Sequence, residues 1–133
     1  MKDIQTTGKR KLAVAKATLR QGKGIVRINN VPIDHVTPKI SMLKLKEPLI
    51  LAEDVAGKVD IDVTVFGGGI TVQAEASRLA IAKALVEFTK SSDLKNTFLS
   101  YDRNLLVADV RRKEPAKPNR HGQARSKVQK SYR

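Results

Sequence analysis

The feature that most constrains this chain is the uneven placement of its basic residues. Residues 111–133 hold nine Lys and Arg side chains and one acid, Glu114, a net charge of +8. Residues 1–110 hold 17 basic and 12 acidic side chains, a net charge of +5. Because the last segment is so charged and contains Pro115 and Pro118, it cannot bury enough apolar surface to offset its ordering entropy. The sequence therefore predicts a globular body, residues 1–110, and an extended basic tail, residues 111–133.

The composition of the whole chain restricts its partners and its chemistry. The net charge is +13, which is usually balanced by a polyanion. Only 4% of residues are aromatic, so stacking of splayed bases on aromatic platforms, as in RNA binders that use a sheet surface, is not expected. The lack of cysteine excludes disulfides and thiolate chemistry. No stretch approaches the roughly 20 apolar residues that a membrane span needs, and the N-terminus has no apolar segment of signal-peptide length. The sequence therefore predicts a soluble intracellular protein.

The first half of the body has the alternation and turn residues of strands. Residues 9–20 alternate as a strand, Gly22-Lys23-Gly24 indicates a turn, and residues 25–28 are predicted to return as the hairpin partner of that strand. A second turn is predicted at Asn29-Asn30.

A short helix is predicted next. Thr37 is suited to cap it and Pro38 to occupy its first position, while the helix should run to about Lys46 and stop at Pro48.

The second half contains the clearest periodicity in the chain. Residues 59–66 alternate strictly as a strand, Gly67-Gly68-Gly69 ends it, and residues 71–90 have the wide apolar arc of a helix packed on a sheet. A second short helix is predicted from Ser92-Asp93, and residues 105–107 are predicted to be a final strand. The fold class is α+β, with an antiparallel or mixed sheet covered by helices on one face.

The glycine triplet suggests a phosphate-binding loop, because a strand runs into glycines and then into a helix. However, nucleotide loops place Lys and Ser or Thr after the last glycine, whereas Ile70-Thr71-Val72 follow here. A sharp bend with a close backbone approach is the favoured interpretation. An RNA phosphate at the helix start stays open as an alternative.

Other candidates for chemistry have ordinary explanations. Asp60 and Asp62 share one strand face and could bind a metal, but alternate polar residues are typical of a half-exposed strand. His35 and His121 have no ligand-spaced neighbours. Because no base, nucleophile and oxyanion site occur together, the sequence predicts a protein without catalysis, cofactor or metal.

Two basic clusters are the candidate RNA-binding residues. The first, Lys9-Arg10-Lys11, leads into the first strand. The second lies in the tail, which could span roughly 75 Å if fully extended. Its candidate phosphate ligands are Arg111, Arg112, Lys113, Lys117, Arg120, Arg125 and Lys127.

These features occur in the order found in one family. The chain resembles the universal small-subunit ribosomal protein family numbered nine, in its archaeal and eukaryotic branch, and its short length suits an archaeal member. The matching segments are Thr7 to Lys11 with Ala13, Ala15 and Ala17; Gly22-Lys23-Gly24; Gly67-Gly68-Gly69 with Gln73-Ala74; Ala80 to Leu85; Asp109 with Arg111 to Glu114; and Gln129-Lys130-Ser131-Tyr132-Arg133.

The resemblance implies a fold and a location. The implied fold is that of the second domain of small-subunit protein five, with a left-handed βαβ crossover. The implied partners are ribosomal RNA in the head of the small subunit, neighbouring head proteins and peptidyl-site transfer RNA, in the cytoplasm. Carried over by position, Arg133 should lie nearest that transfer RNA, with Lys130 and Tyr132 beside it.

Two rival functions share some of these features. A general DNA-compacting or RNA-chaperone protein would have the same charge. A small nucleotide-binding enzyme would use the glycine turn, although the Lys of a phosphate loop is missing.

Overall fold

The computed structural model describes residues 3–125, which contain a five-stranded sheet and four α-helices. The strands are β1 (Ile4–Arg10), β2 (Ala13–Gln21), β3 (Val26–Ile28), β4 (Val31–Pro32) and β5 (Val59–Phe66). The helices are α1 (Lys39–Leu51), α2 (Glu53–Ala56), α3 (Ile70–Thr89) and α4 (Ser92–Tyr101). Short 3-10 helices span Ile33–His35 and Arg103–Leu105. The predicted α+β class is confirmed.

The first two strands form a hairpin that the sequence did not predict. The single strand expected over residues 9–20 is wrong, because the chain reverses at Lys11 and Leu12, so that Arg10 pairs with Ala13. Lys11 adopts a left-handed conformation there, with a φ of 49°. Such a turn usually carries Gly or Asn, and their absence here hid it.

The sheet order is β1-β2-β5-β3-β4. The hairpin predicted between β2 and residues 25–28 is therefore wrong, since β5 lies between them and β3 pairs with β5 in parallel. The turn at residues 22–24 is nevertheless present, and Asp60 of β5 holds it by accepting hydrogen bonds from the backbone N–H groups of Lys23 and Ile25 at 2.8 and 2.9 Å. These two N–H groups lower the pKa of Asp60.

The core lies on one face of the sheet. Alternate residues of β2 and β5 are buried beneath α3, while the residues between them face solvent or are half-buried. The alanine-rich α3 comes closest at β1, where the Thr6 hydroxyl donates to the Ala80 carbonyl oxygen at 2.8 Å. A Cβ on Gly8 would lie 2.1 Å from the Ala76 carbonyl oxygen. Small residues therefore set the distance between this helix and the sheet.

The predictions for the helices are partly confirmed. The strand over residues 59–66, the long helix and a helix from Ser92 all occur. The first helix begins at Lys39 with Pro38 as its N-cap, and it continues through the buried Pro48 to Leu51, so its predicted start and end are both wrong. Proline removes one helical hydrogen bond, but the burial of Leu45 and Pro48 holds this segment in place.

The strand predicted over residues 105–107 is also wrong. A 3-10 helix occupies Arg103–Leu105, and the Asp102 side chain caps it by accepting from the Asn104 N–H at 2.9 Å. Leu105 is fully buried, so this apolar segment fills the core from a turn instead of a strand.

The parallel pair β3 and β5 is joined through α1 and α2, which gives the expected βαβ unit. The left-handed sense of its crossover stays a prediction.

Candidate nucleic-acid interface

The three consecutive basic residues of β1 do not point the same way. Strand alternation places Lys9 on the open face of the sheet and Arg10 on the face that carries the helices. Lys11 follows at the exposed tip of the hairpin. Among residues 3–125, neither Lys9 nor Lys11 forms an ion pair. The charges of these two lysines are therefore available to a partner, and their contact with RNA stays a prediction.

Arg10 instead joins the body to the start of the tail. Its Nε donates to Glu75 Oε2 at 2.8 Å, and its Nη1 lies 2.7 Å from Asp109 Oδ2. Lys44 of α1 donates to the other oxygen of Glu75 at 3.0 Å. Arg111 donates to both oxygens of Asp109, at 2.7 to 3.1 Å. We call these five residues, Lys44, Glu75, Arg10, Asp109 and Arg111, the root cluster.

In the root cluster each of the two carboxylates is in contact with two basic side chains. Hydrogen bonds from the Arg111 side chain and backbone, together with the charge of Arg10, hold the pKa of Asp109 well below its ordinary value. Burial would raise the pKa of Glu75, but the bonds from Arg10 and Lys44 outweigh this effect and lower it. Because the Arg10 side chain is only 16% exposed and faces two carboxylates, its charge is already neutralised within the body.

A second charged group braces the same region. Arg78 of α3 lies 2.5 Å from Glu47 of α1 and 3.0 Å from Asp102 at the end of α4, and its side chain is 13% exposed. The basic residue thus ties three helices together next to the root cluster. Arg78 was not predicted to have a role, since nothing in the sequence shows which acids surround it.

The described part of the tail, residues 111–125, has no helix or strand. Glu114, its one acid, lies 3.3 Å from Lys117 Nζ and 2.9 Å from Arg125 Nε. Lys117 is three residues after Glu114, and a turn around residues 118–122 brings Arg125 back to the same carboxylate. All these ion pairs are exposed, so they are weak and can exchange for phosphate.

The other predicted tail residues have different surroundings. Arg112 donates to the carbonyl oxygens of Asp109 and Arg111, and Arg120 donates to that of Ala124 at 3.3 Å. Lys113 is exposed. The predicted contacts Lys127, Lys130, Tyr132 and Arg133 lie outside the described residues.

The glycine triplet forms a sharp bend, as the favoured interpretation predicted. Gly67 and Gly68 have φ values of 78° and 66°, and a Cβ on Gly67 would lie 2.5 Å from the Leu12 carbonyl oxygen. The side chain of Gln73 in α3 donates back to the Gly67 carbonyl oxygen at 3.1 Å. The bend therefore packs against the tip of the β1–β2 hairpin.

Residues 3–125 contain no cluster of three His, Asp or Glu side chains that could hold a metal ion. Asp60 caps a backbone turn, and Asp62 lies 4.0 Å from Arg27. Within the same range, no helix has the length and apolar character needed to cross a bilayer.

An α+β body with an open sheet face, followed by a strongly basic segment, is typical of the class of small nucleic-acid-binding proteins. Residues 8–133 match the family model described as ribosomal protein S9/S16. The small ribosomal subunit protein uS9 of Methanococcus maripaludis strain S2 is 51% identical over 134 residues, covering 100% of both chains. Those of strains C7 and C5 are each 50% identical over the same length. The chain belongs to the ribosomal protein S9/S16 family, in its archaeal type.

Membership of this family decides several of the predictions. The family consists of structural, non-enzymatic proteins of the small ribosomal subunit, so the chain is a structural constituent of that subunit in the cytoplasmic ribosome. The predicted resemblance and the absence of enzymatic function are confirmed. The rival interpretation as a nucleotide-binding enzyme is wrong, because the family is structural and non-enzymatic.

The root cluster gives a first testable prediction. In Asp109→Asn, Arg10 and Arg111 face each other without the carboxylate between them, so we expect the start of the tail to leave its fixed position while the core stays folded. In the wild type the Arg111 amide donates to the Asp109 carboxylate at 2.9 Å. In the variant, hydrogen exchange at this amide should become about tenfold faster. Because the pKa of Asp109 is lowered from 3.8, acid should release the wild-type tail only once the pH falls through that lowered value.

Asp93→Asn is the matched control, since Asp93 is exposed and forms no ion pair within residues 3–125. Equal exchange at Arg111 in the wild type and in Asp109→Asn would contradict the anchoring role.

Proposed function

We propose that the chain binds small-subunit ribosomal RNA in the head of the subunit and that its tail reaches peptidyl-site transfer RNA. The observation that carries this proposal is the separation of its charges. The acids of the root cluster, and those that contact Arg78 beside it, already form ion pairs with Arg10, Lys44, Arg78 and Arg111. The residues after Arg111 carry basic charge, and Glu114 is the one acid among them. Charge that the protein itself does not neutralise is available to RNA phosphates.

The candidate RNA-binding residues divide into two roles. Lys9, Lys11 and the tail residues from Arg112 onwards are proposed to contact phosphates. Arg10 is proposed to act by positioning, because its guanidinium is already bound to Glu75 and Asp109. The body, residues 1–110, thus serves as the fixed platform from which the tail, residues 111–133, extends between RNA helices. Neighbouring head proteins would contact the remaining surface.

At the tip of the tail, fixed positive charge would hold transfer RNA by its backbone without reading its sequence. Lys130 and Arg133 supply this charge, and Tyr132 offers a ring and a hydroxyl beside them. This role rests on the match of the terminal segment to the family and on its charge.

Deletion of Lys130 to Arg133 tests the tip. We expect the truncated chain to fold and to sediment with small subunits, because the body and most of the tail are intact. Loss of two charged contacts should weaken peptidyl-site transfer RNA binding by roughly tenfold, measured as the dissociation rate from purified subunits.

Ser131→Ala is the control, since it alters the same segment without changing its charge. Normal transfer RNA affinity after the deletion would refute the tip assignment. Failure of the full-length chain to sediment with small subunits would refute binding to the subunit's RNA.

A further inference from the structure

The open face of the sheet is divided into two zones along the strands. The pairing register places Lys9, Val14 and Phe66 in one row across β1, β2 and β5, and Thr7, Lys16 and Thr64 in the next row. We call these six residues the hairpin-end zone. The zone at the opposite end of the strands contains Gln5, Thr18, Arg20, Arg27, Asp60 and Asp62, together with Asp3, which precedes β1 and pairs with Arg20.

The two zones differ in how their charges are balanced. In the opposite zone Arg20 lies 3.0 Å from Asp3, and Arg27 lies 4.0 Å from Asp62. In the hairpin-end zone Lys9 and Lys16 are exposed, and neither forms an ion pair within residues 3–125. The zone itself contains no acid. One end of the open face is therefore cationic, and the other is nearly neutral.

An aromatic ring lies in the cationic zone. Phe66 is 52% exposed, whereas Phe98 is fully buried and Phe88 is partly buried against the core. The ring of Phe66 thus contributes little to the core. Lys16 Nζ lies 6.0 Å from its centroid, at the outer limit of a cation–π contact. An exposed ring flanked by cations is the arrangement that stacks a nucleobase while the cations bind adjacent phosphates.

The chemistry of the zone favours RNA over a protein partner. An apolar protein surface would bury Phe66 and Val14 but would also desolvate Lys9 and Lys16 without a counter-charge, which is costly. The threonine hydroxyls of the second row can bond phosphate or ribose oxygens. The low aromatic content of the chain argued against base stacking, but one exposed ring is enough to accept one base.

We propose that the hairpin-end zone binds one unpaired nucleotide and its flanking phosphates, with the base stacked on Phe66 and the phosphates on Lys9 and Lys16. This inference rests on the proposed binding of ribosomal RNA and adds to it a specific site on the body. It requires RNA that is irregular at this point, since a base within a regular duplex is already stacked. The site could not be predicted from the sequence, because its residues come from three strands whose pairing is visible only in the structure.

Photocrosslinking in assembled particles tests the site directly. Phe66 is replaced by benzoylphenylalanine in the full-length chain, and the variant is incorporated into small subunits and irradiated. We expect a crosslink to ribosomal RNA at one irregular position. The control places the same photoreactive residue at Arg27, on the same face but in the opposite zone, where no crosslink to RNA at that position is expected.

A crosslink from position 66 to a protein, or no crosslink in subunits that contain the variant, would overturn the site while leaving the ribosomal function intact. Absence of the chain from subunits would overturn both.

Binding of the full-length chain to small-subunit RNA gives a second readout. Phe66→Leu should lower the affinity about tenfold without altering its salt dependence. Phe66→Tyr, which keeps an aromatic ring, should bind with the affinity of the wild type. Lys16→Gln should instead reduce the slope of log affinity against log salt by about 1. Equal affinity of Phe66→Leu and wild type would count against stacking.

Discussion

Replacing Gly8 by alanine is expected to lower the free energy of unfolding by about 3 kcal/mol. A Cβ at this position would lie 2.1 Å from the Ala76 carbonyl oxygen and 2.8 Å from the Ala80 backbone nitrogen. Both atoms belong to the backbone of α3, so the clash cannot be relieved by turning a side chain. The helix would have to move away from β1, which would also break the bond between Thr6 and Ala80. The midpoint of urea unfolding measures this loss.

Gly57→Ala is the matched control. Nothing lies within 4 Å of a Cβ at Gly57, and its φ of −70° suits any residue. We expect this variant to be unchanged or more stable by roughly 0.5 kcal/mol, because alanine restricts the unfolded chain. Equal unfolding midpoints for the two variants would show that α3 does not approach β1 this closely.

Neutralising four tail residues should cause a large loss of RNA affinity. The variant carries Lys117→Gln, Arg120→Gln, Arg125→Gln and Lys127→Gln. If each side chain neutralises one phosphate, the slope of log affinity against log salt should fall by about 3. Between 1 M and 0.15 M salt, this change corresponds to roughly two to three orders of magnitude in affinity. Filter binding of the full-length chain to small-subunit RNA over this salt range measures both quantities.

The control removes the same charge from the body. Four exposed lysines that we assign to no RNA contact are changed to glutamine: Lys23, Lys39, Lys58 and Lys95. Their loss should reduce the slope by less than 1, because long-range attraction is screened at these salt concentrations. Similar losses in both variants would mean that net charge, not the tail, determines RNA binding.

The elements that the sequence predicted well are those with long, uninterrupted periodicity. Strand β5 alternates over all eight of its residues, and α3 maintains an apolar arc over 20 residues. Each has one face buried in the core along its whole length, so its apolar residues recur with the period of a strand or of a helix. The short elements carry too few residues for such a signal, which is why residues 105–107, at the end of a 3-10 helix and the turn after it, were predicted to be a strand.

Strand pairing was the part of the fold that the sequence predicted least well. The turn at residues 22–24 has the glycines of a hairpin, but β3 does not pair with β2. It pairs with the opposite edge of β5, which lies between them. What holds that turn is Asp60, a residue more than 30 positions away, whose carboxylate accepts from two of its N–H groups. Local turn chemistry cannot reveal a partner so distant in the sequence.

The candidate interface shows the same limit. The basic run at residues 9–11 was found, but its division into outward lysines and an inward arginine required the correct start of β1. The alternation of Thr6, Gly8 and Arg10 on one face was the signal that could have revealed it. The acids that bind Arg10 could not have been predicted, since Glu75 lies in α3 and Asp109 lies beyond α4.

The position of Arg10 and Asp109 in the chain has a consequence for biosynthesis. The two partners are separated by most of the length of the protein, and synthesis proceeds from the N-terminus. The β1–β2 hairpin and α3 can therefore pack before Asp109 has been made, while the guanidinium of Arg10 still lacks one of its two carboxylates. The contact between Arg10 and Asp109 can form only after Asp109 has been synthesised, so the start of the tail is fixed later than the packing of the hairpin on α3.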